Sequence, residues 1–499
     1  MTHRSVRSRR AAVLAAVVVL AATACGTTVD EAQLTALREN PGSGGLGVGP
    51  SIDPNTGAPL GPDDGGPVIG GGPGGPGGPG GPTTLPPGGQ GTPAKGVTDD
   101  TITVGFVHTE NQSAANAALG AGGVTGGEGK RYVEILVEEI NGRGGIAGHR
   151  IDPIFHAIDS LSNETLDSQL AAACETFTRD NQVHIVEGIG QSESFAACLE
   201  RQGVWQVASN FTTADQRWFA RYPHYVEPVS INLNRVTVAT VNGLNRQGYF
   251  APGAKVGVVT YDSPSFDYAL RTSLLPALDA LGIDPVVEQV TEAQRLSDLS
   301  GESAQVSSVV LTFNSLDVDH VIIIERSGTL GLFFMQAADG QDYYPRYGLN
   351  SQSGNSALSG IAPAGQLDRA LSIGWTASTD LTAEDGAKHP RSAGNRRCIK
   401  LMNDKGVTFD STNAEAIALN ACLDLWLMEE AIEAGSAGNT IFAESWLTGL
   451  HSLGDYEGYD GFDHHFGPTQ HDAGAEVANM AYVPACTCFR YTSQPYRIP

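Results

Sequence analysis

Residues 101–151 read "TITVGFVHTENQSAANAALGAGGVTGGEGKRYVEILVEEINGRGGIAGHRI". The stretch opens on a β-rich run, "TITVGFV". A helical period follows, in which Tyr132, Leu136 and Ile140 recur every four residues with Val133 beside them. That spacing puts one apolar stripe along a helix. Gly142 and Gly144 are expected to stop it, since glycine readily takes the left-handed conformation that ends helices. Strand, then helix, then a glycine turn is the unit from which the rest of the fold is read.

The unit recurs downstream. β-rich runs lie at 184–189 ("HIVEGI"), 204–209 ("VWQVAS"), 255–261 ("KVGVVTY"), 318–325 ("VDHVIIIE") and 347–351 ("YGLNS"). Helical periods separate several of them. In "SFDYALRTSLLPALDALGI" the apolar set is Leu270, Leu274, Leu278 and Leu281, with Pro276 as a candidate kink. Alternation of this kind predicts an α/β fold, doubly wound around mostly parallel sheets. The strands end in short loops rich in hydroxyls, amides and acids: "HTENQS", "GQSES", "SNFTTAD", "DSPSFD", "ERSG" and "NSQSGNS". Such loops are common polar turns. In open α/β sheets, however, ligands sit outside the carboxyl ends of the strands, so these six are expected to converge.

The opening stretch, with its "INGRGGIAG" turn, resembles the start of type I periplasmic binding proteins. It is most similar to the branched-chain amino-acid-binding group of ABC importers. "VDHVIIIERSGTLGLFFMQAADG" resembles that family's second-lobe strand and helix, "YGLNSQSGNSALSGIA" its next strand and loop, and "HHFGPTQHDAG" the start of its C-terminal hairpin. The resemblance spans about residues 100–490. It implies two lobes joined by three crossing segments, placed near Glu227, Trp375 and Gly467. Lobe one would comprise 98–226 and 377–466, and lobe two 227–375 and 468–499. A small solute would be trapped between them by hinge closure and presented to ABC permease and ATPase subunits. A monomer without a cofactor or metal is expected.

The resemblance also implies a ligand set. Ser192, with Glu193 beside it, would give a hydroxyl to a solute carboxylate. Ser209, Asn210 and Thr212 would follow from the next loop, and Asp262, Phe266, Glu325 and Arg326 from lobe two. Amino-acid binders hold the ammonium group with an acid where this chain has Asn350 or Ser351, which argues against an ordinary α-amino acid. Arg326 then becomes the candidate for an anionic ligand group through its planar fork. An inter-lobe salt bridge or a solvated strand end is an equal alternative. Phe266 and Trp375 offer stacking faces or simple packing.

Seven cysteines punctuate the chain. Cys174 and Cys198 are 24 apart, as are Cys398 and Cys422, and each pair sits on successive helical segments, as disulfide staples would. Cys486 and Cys488 in "ACTCF" are read as a tight bridge, with two metal-ligating thiols as the alternative. The odd cysteine, Cys25, follows Arg4, Arg7, Arg9 and Arg10, an apolar run from Ala11 to Ala22 and "ATA". Twelve apolar residues are too few to span a bilayer. This resembles a bacterial lipoprotein signal, with residues 1–24 removed and Cys25 lipidated, although Ala22 stands where leucine is usual. An ordinary secretory signal cut at the same place leaves a free thiol instead. Either reading exports the protein, and lipidation would tether it to the outer face of the cell membrane.

Residues 25–97 are then expected to be a tether, with "GGGPGGPGGPGGP" at 70–82 too short for a collagen helix. Some seventy flexible residues reach about 45 Å. Without residues 1–24 the chain holds 26 basic against 55 acidic residues, a net charge of −29 with His neutral. That balance excludes nucleic acid and anionic membrane surfaces as partners.

Rival chemistries are weaker. "GQSES" approaches the G-x-S-x-G nucleophile elbow of serine hydrolases, but the last glycine is Ser194 and nothing marks Asp380 with His389 as triad partners. "GIGQSE" has Glu193 where a dinucleotide fingerprint needs its third glycine. The histidines of "DYEGYDGFDHHFGPTQHD" fit neither a zinc nor a calcium spacing, so a polar hairpin is expected. A ligand-sensing surface receptor of the same fold, without transport, is the remaining alternative.

Overall fold

The computed structural model describes residues 92–118, 124–188, 192–208, 214–382, 385, 393–458 and 461–498. Cys25, the leader, and the tether up to residue 91 lie outside the described residues. The last residues of the expected tether do not hang free. Ala443 N donates to Thr92 O at 3.0 Å and Thr103 N to Gly96 O at 2.8 Å, so the folded part starts at about residue 92. Among the described residues no helix is long and apolar enough to cross a membrane.

Strands β1 (Thr101–Glu110), β2 (Arg150–Asp159), β3 (Ile185–Gly188), β4 (Trp205–Ala208) and β5 (Tyr225–Val226) form one parallel sheet in the order β2-β1-β3-β4-β5. A second sheet follows the same plan. Strands β6 (Val256–Tyr261), β7 (Val286–Val290), β8 (His320–Ile324), β9 (Arg346–Asn350) and β10 (Leu371–Gly374) run parallel in the order β7-β6-β8-β9-β10. In each sheet the first strand pairs with both the second and the third. That reversal is the topological switch point, where side chains and ligands have room beyond the strand ends.

Helix α1 (Gly129–Arg143) turns the expected stripe inward, burying Tyr132, Val133, Leu136 and Ile140. It ends at Gly144, whose φ of 120° lies in glycine territory, while Gly142 stays inside the last turn. The expected helix over 265–283 is interrupted by a wide turn at Leu270–Leu274. Pro276 there has no N–H to give to the carbonyl four residues back. Leu270, Leu274 and Leu278 are buried, but Leu281 lies past the helix end and is 38% exposed.

Five more helices matter for the cleft: α2 (Leu166–Glu175), α3 (Glu193–Gln202), α4 (Leu233–Arg246), α5 (Leu299–Ser315) and α6 (Thr329–Asp339). After β10 the chain leaves the second sheet. Helices α7 (Ala393–Asp404), α8 (Thr412–Gly435) and α9 (Ser445–Leu453) pack on the first, sharing one core of Val104, Phe106, Leu136, Trp426 and Trp446. The histidine-rich stretch is a hairpin of β11 (Asp455–Glu457) and β12 (Asp463–His465), with His464 Nδ1 2.7 Å from Pro228 O. Strands β13 (Glu476–Val483) and β14 (Cys488–Tyr491) then return to the second sheet, antiparallel to β10 and to each other. Glu227 N donates to His471 O at 2.8 Å and Ala473 N to Glu227 O at 2.9 Å. Two passages between the sheets therefore run side by side at Glu227 and Asp472. Gly467 sits nearby in a turn closed on Gln470.

The six described cysteines approach in the expected pairs, with Cα separations of 6.4 Å (Cys174, Cys198), 6.0 Å (Cys398, Cys422) and 5.2 Å (Cys486, Cys488).

Candidate binding cleft

A cavity of about 410 Å³ opens where the two switch points face each other. From the first sheet come Phe106–Thr109 at the end of β1 and Glu187 and Gly188 at the end of β3. From the second come Tyr261 at the end of β6, Glu292 and Ala293 after β7, and Arg326 and Ser327 after β8. Phe155, Val133 and Leu166 close one side, and Asn413, Ile417, Asn420 and Ala421 of α8 another. The wall is mostly apolar with a few polar groups, as small-molecule sites are. Gly188 allows the close approach of β3 to β1. At its φ of 129° a Cβ would lie 2.4 Å from Val107 O.

The polar groups are mainly acidic. Glu187, 5% exposed, faces the fully buried Asp424 of α8. Burial lifts the Glu187 carboxyl to about 7 and raises Asp424 well above the usual range, with Glu187 itself raising it further. Two carboxylates in a low-dielectric wall cannot both ionise cheaply. Across the cleft, Glu302 of α5 accepts from Tyr261 Oη at 3.2 Å and from Ala293 N at 2.8 Å, and burial raises it as well. Arg326 is paired with Glu292. His108 packs edge-on against Phe155, with ring centroids 6.0 Å apart, and Lys130 Nζ lies 5.1 Å over the same ring. A second cavity of about 560 Å³ shares Gln112, Ser327, Thr329 and Asn413 with the first and extends the cleft toward Ser353–Ile361.

Of the residues expected to bind ligand, Arg326 lines the cavity, with its guanidinium committed to Glu292. The other described ones take part in local structure. Ser192 Oγ caps α3, accepting from Phe195 N at 3.2 Å. Glu193 turns outward to Arg221 and Tyr222. Asp262 accepts from Thr291 Oγ1 at 2.8 Å. Phe266 is buried against Tyr261 and Trp375 joins the second sheet's core. Glu325 reaches under α6, accepting from Leu330 N at 3.0 Å and Gly331 N at 3.2 Å, and burial lifts it to about 8. Asn350 folds back onto Gln352 N at 2.9 Å, with Ser351 bonded to Asp380. Ser209, Asn210 and Thr212 lie outside the described residues, as does His389. Asp380 binds Ser351, Asn355 and Tyr491, and Ser192 Oγ lies beside Ser194 Oγ at 2.8 Å. That is cap geometry around Ser192, with Asp380 tied into the second sheet.

The sequence reasoning did not single out Phe106, Phe155, Glu187, Tyr261, Glu302 or the first turns of α8. One signal was present: Glu187 is a lone acid in the otherwise apolar run "HIVEGI".

No sequence-family model matches the chain, and no curated protein matches it in sequence. Solved structures do. Among them is the fatty acid ABC transporter substrate-binding protein from Thermomonospora curvata, at 14% identity and TM-score 0.57 over 82% of this chain and 95% of that one. A solute-binding protein of an R. palustris ABC transporter in complex with 4-hydroxybenzoate matches at 15% identity and TM-score 0.59, over 80% and 98%. A branched-chain amino acid ABC transporter protein from Thermus thermophilus with bound valine matches at 15% and 0.58, over 80% and 97%. The fold is that of the type I periplasmic binding proteins.

Proposed function

We propose that the protein is an extracytoplasmic solute-binding component of an ABC importer. One observation carries this reading: the switch points of both sheets line one cleft of small-molecule size. The lobes, 98–226 with 377–466 and 227–375 with 468–499, close on the solute by bending near Glu227, Trp375 and the paired passage at Asp472. Closure presents one joined surface to the permease, and only the loaded protein offers it. The likeness to proteins whose structures hold valine or 4-hydroxybenzoate supports a small organic solute. Cys25 carries the lipid, the stretch to about residue 91 is the tether, and the three cysteine pairs are oxidised after export. The protein binds without turnover.

The test is mass spectrometry of whatever co-purifies, together with a thermal-shift panel of amino acids, amines, aromatic acids, fatty acids and sugars. A true solute at a hundredfold its Kd adds about 2.7 kcal/mol of stability. A panel that shifts nothing, or product formation from a shifting compound, contradicts the reading.

A further inference from the structure

We propose that the solute is an organic cation, an apolar or aromatic body whose protonated amine docks on Glu187. This rests on the solute-binding reading and narrows it.

The cavity wall carries three carboxylates, Glu187, Glu292 and Glu302, against one guanidinium. Arg326 gives its charge to Glu292, so an anion entering the cleft would have to break that pair while facing Glu187 and Glu302. The pair is only partly buried, with side chains 22% and 13% exposed, so breaking it costs less than in the core but still opposes an anion. Glu187 differs from the other two acids. It has neither the arginine of Glu292 nor the tyrosine and backbone donors of Glu302. Its neighbour is a second carboxylate, Asp424, whose two oxygens are buried and meet, among the described residues, no cation and no backbone donor, only the Glu187 carboxyl. A buried acid pair of this kind lacks a counter-charge, and an ammonium on the cavity side supplies it. Phe106, Phe155 and Tyr261 line the space beside it, suited to an aromatic body and to the faces that attract cations. Where both carboxyls of the pair are protonated, docking of the ammonium releases one proton to solvent and leaves the pair a single negative charge that the ligand neutralises. The other titratable groups facing the site are His108 from β1, Lys130 from α1, Tyr261 from β6 and Arg326 after β8. Lys130 is exposed, with Nζ 5.1 Å from the centre of the Phe155 ring.

The experiment is calorimetry on the full chain with three probes of one shape: phenethylamine, 2-phenylethanol and 3-phenylpropionate. Phenethylamine should bind at least about tenfold tighter than 3-phenylpropionate. Its affinity should rise from pH 6 to pH 8 with net proton release, read from two buffers of different ionisation enthalpy. Glu187→Gln should weaken phenethylamine about tenfold or more and abolish the pH dependence, a loss larger than any change in 2-phenylethanol binding. Equal or tighter binding of 3-phenylpropionate, no phenethylamine binding, or an unchanged amine affinity in Glu187→Gln each overturns the proposal. If a neutral or anionic solute emerges from the wider panel, the cation proposal falls and the solute-binding function stands. If no solute of any charge binds, both fall.

Discussion

Ser192 and Glu187 lie five residues apart, one before α3 and one in β3, and do different jobs. The Ser192 hydroxyl accepts from Phe195 N and satisfies one of the free amides that begin α3. Ser192→Ala should therefore cost about 1 kcal/mol of stability, seen as a lower Tm, with solute affinity unchanged. A serine ending a strand reads the same whether it caps a helix or holds a ligand, because one hydroxyl serves both. The resemblance alone pointed it at the solute. Glu187 was legible in principle, as a charge amid apolar strand residues, although only the structure reveals Asp424 behind it from a helix more than two hundred residues away. Arg326 was found by its chemistry, but its partner Glu292 lies on a different loop. Glu292→Gln should free that guanidinium and raise the affinity for 3-phenylpropionate about fivefold or more. Titration calorimetry on the variant checks this, and an unchanged affinity contradicts the assigned pairing.

At the scale of elements, the strands were legible because short β-rich runs between turns leave a clear mark. Helix α8 was not. Its 24 residues bury Leu419, Leu423, Trp426, Met428 and Ile432 on several sides, so no single stripe shows in the sequence. Yet α8 carries Asp424 and one wall of the cleft. Cys422 on α8 and Cys398 on α7 bring these two helices together. Loss of that bridge in the double variant Cys398→Ala, Cys422→Ala should cost about 3 kcal/mol, measured as an earlier unfolding midpoint. Non-reducing peptide mapping should recover the 174–198 and 398–422 linkages, and a free thiol at any of the four contradicts the pairing. The wide turn before Pro276 and the position of Gly142 inside α1 show the limit of periodicity, which locates a helix better than it locates its interruptions.

Across the whole molecule, burial raises some carboxyls and depresses some histidines, and the two sets act in different pH ranges. Buried His184 and His471 fall to about 4. Being neutral when folded, they favour the native state increasingly up to their unfolded value of about 6.5 and add nothing further above it. Glu187 at about 7 and Glu325 at about 8 hold protons in the native state that the unfolded chain has already lost. Their contribution is present at low pH and disappears as pH rises through those values. Between about pH 6.5 and 8.5 the ligand-free protein should thus lose stability as pH increases. A thermal melt series showing flat or rising Tm across that window contradicts the assignment.

The paired sheets and their mirrored switch points make a stronger prediction, that a bound solute touches both lobes at once. Hydrogen–deuterium exchange on the full chain, with and without the compound that co-purifies, tests this most directly. Exchange should slow together in residues 106–112 of the first lobe and 326–333 of the second. Protection confined to one lobe would contradict a two-walled clamp.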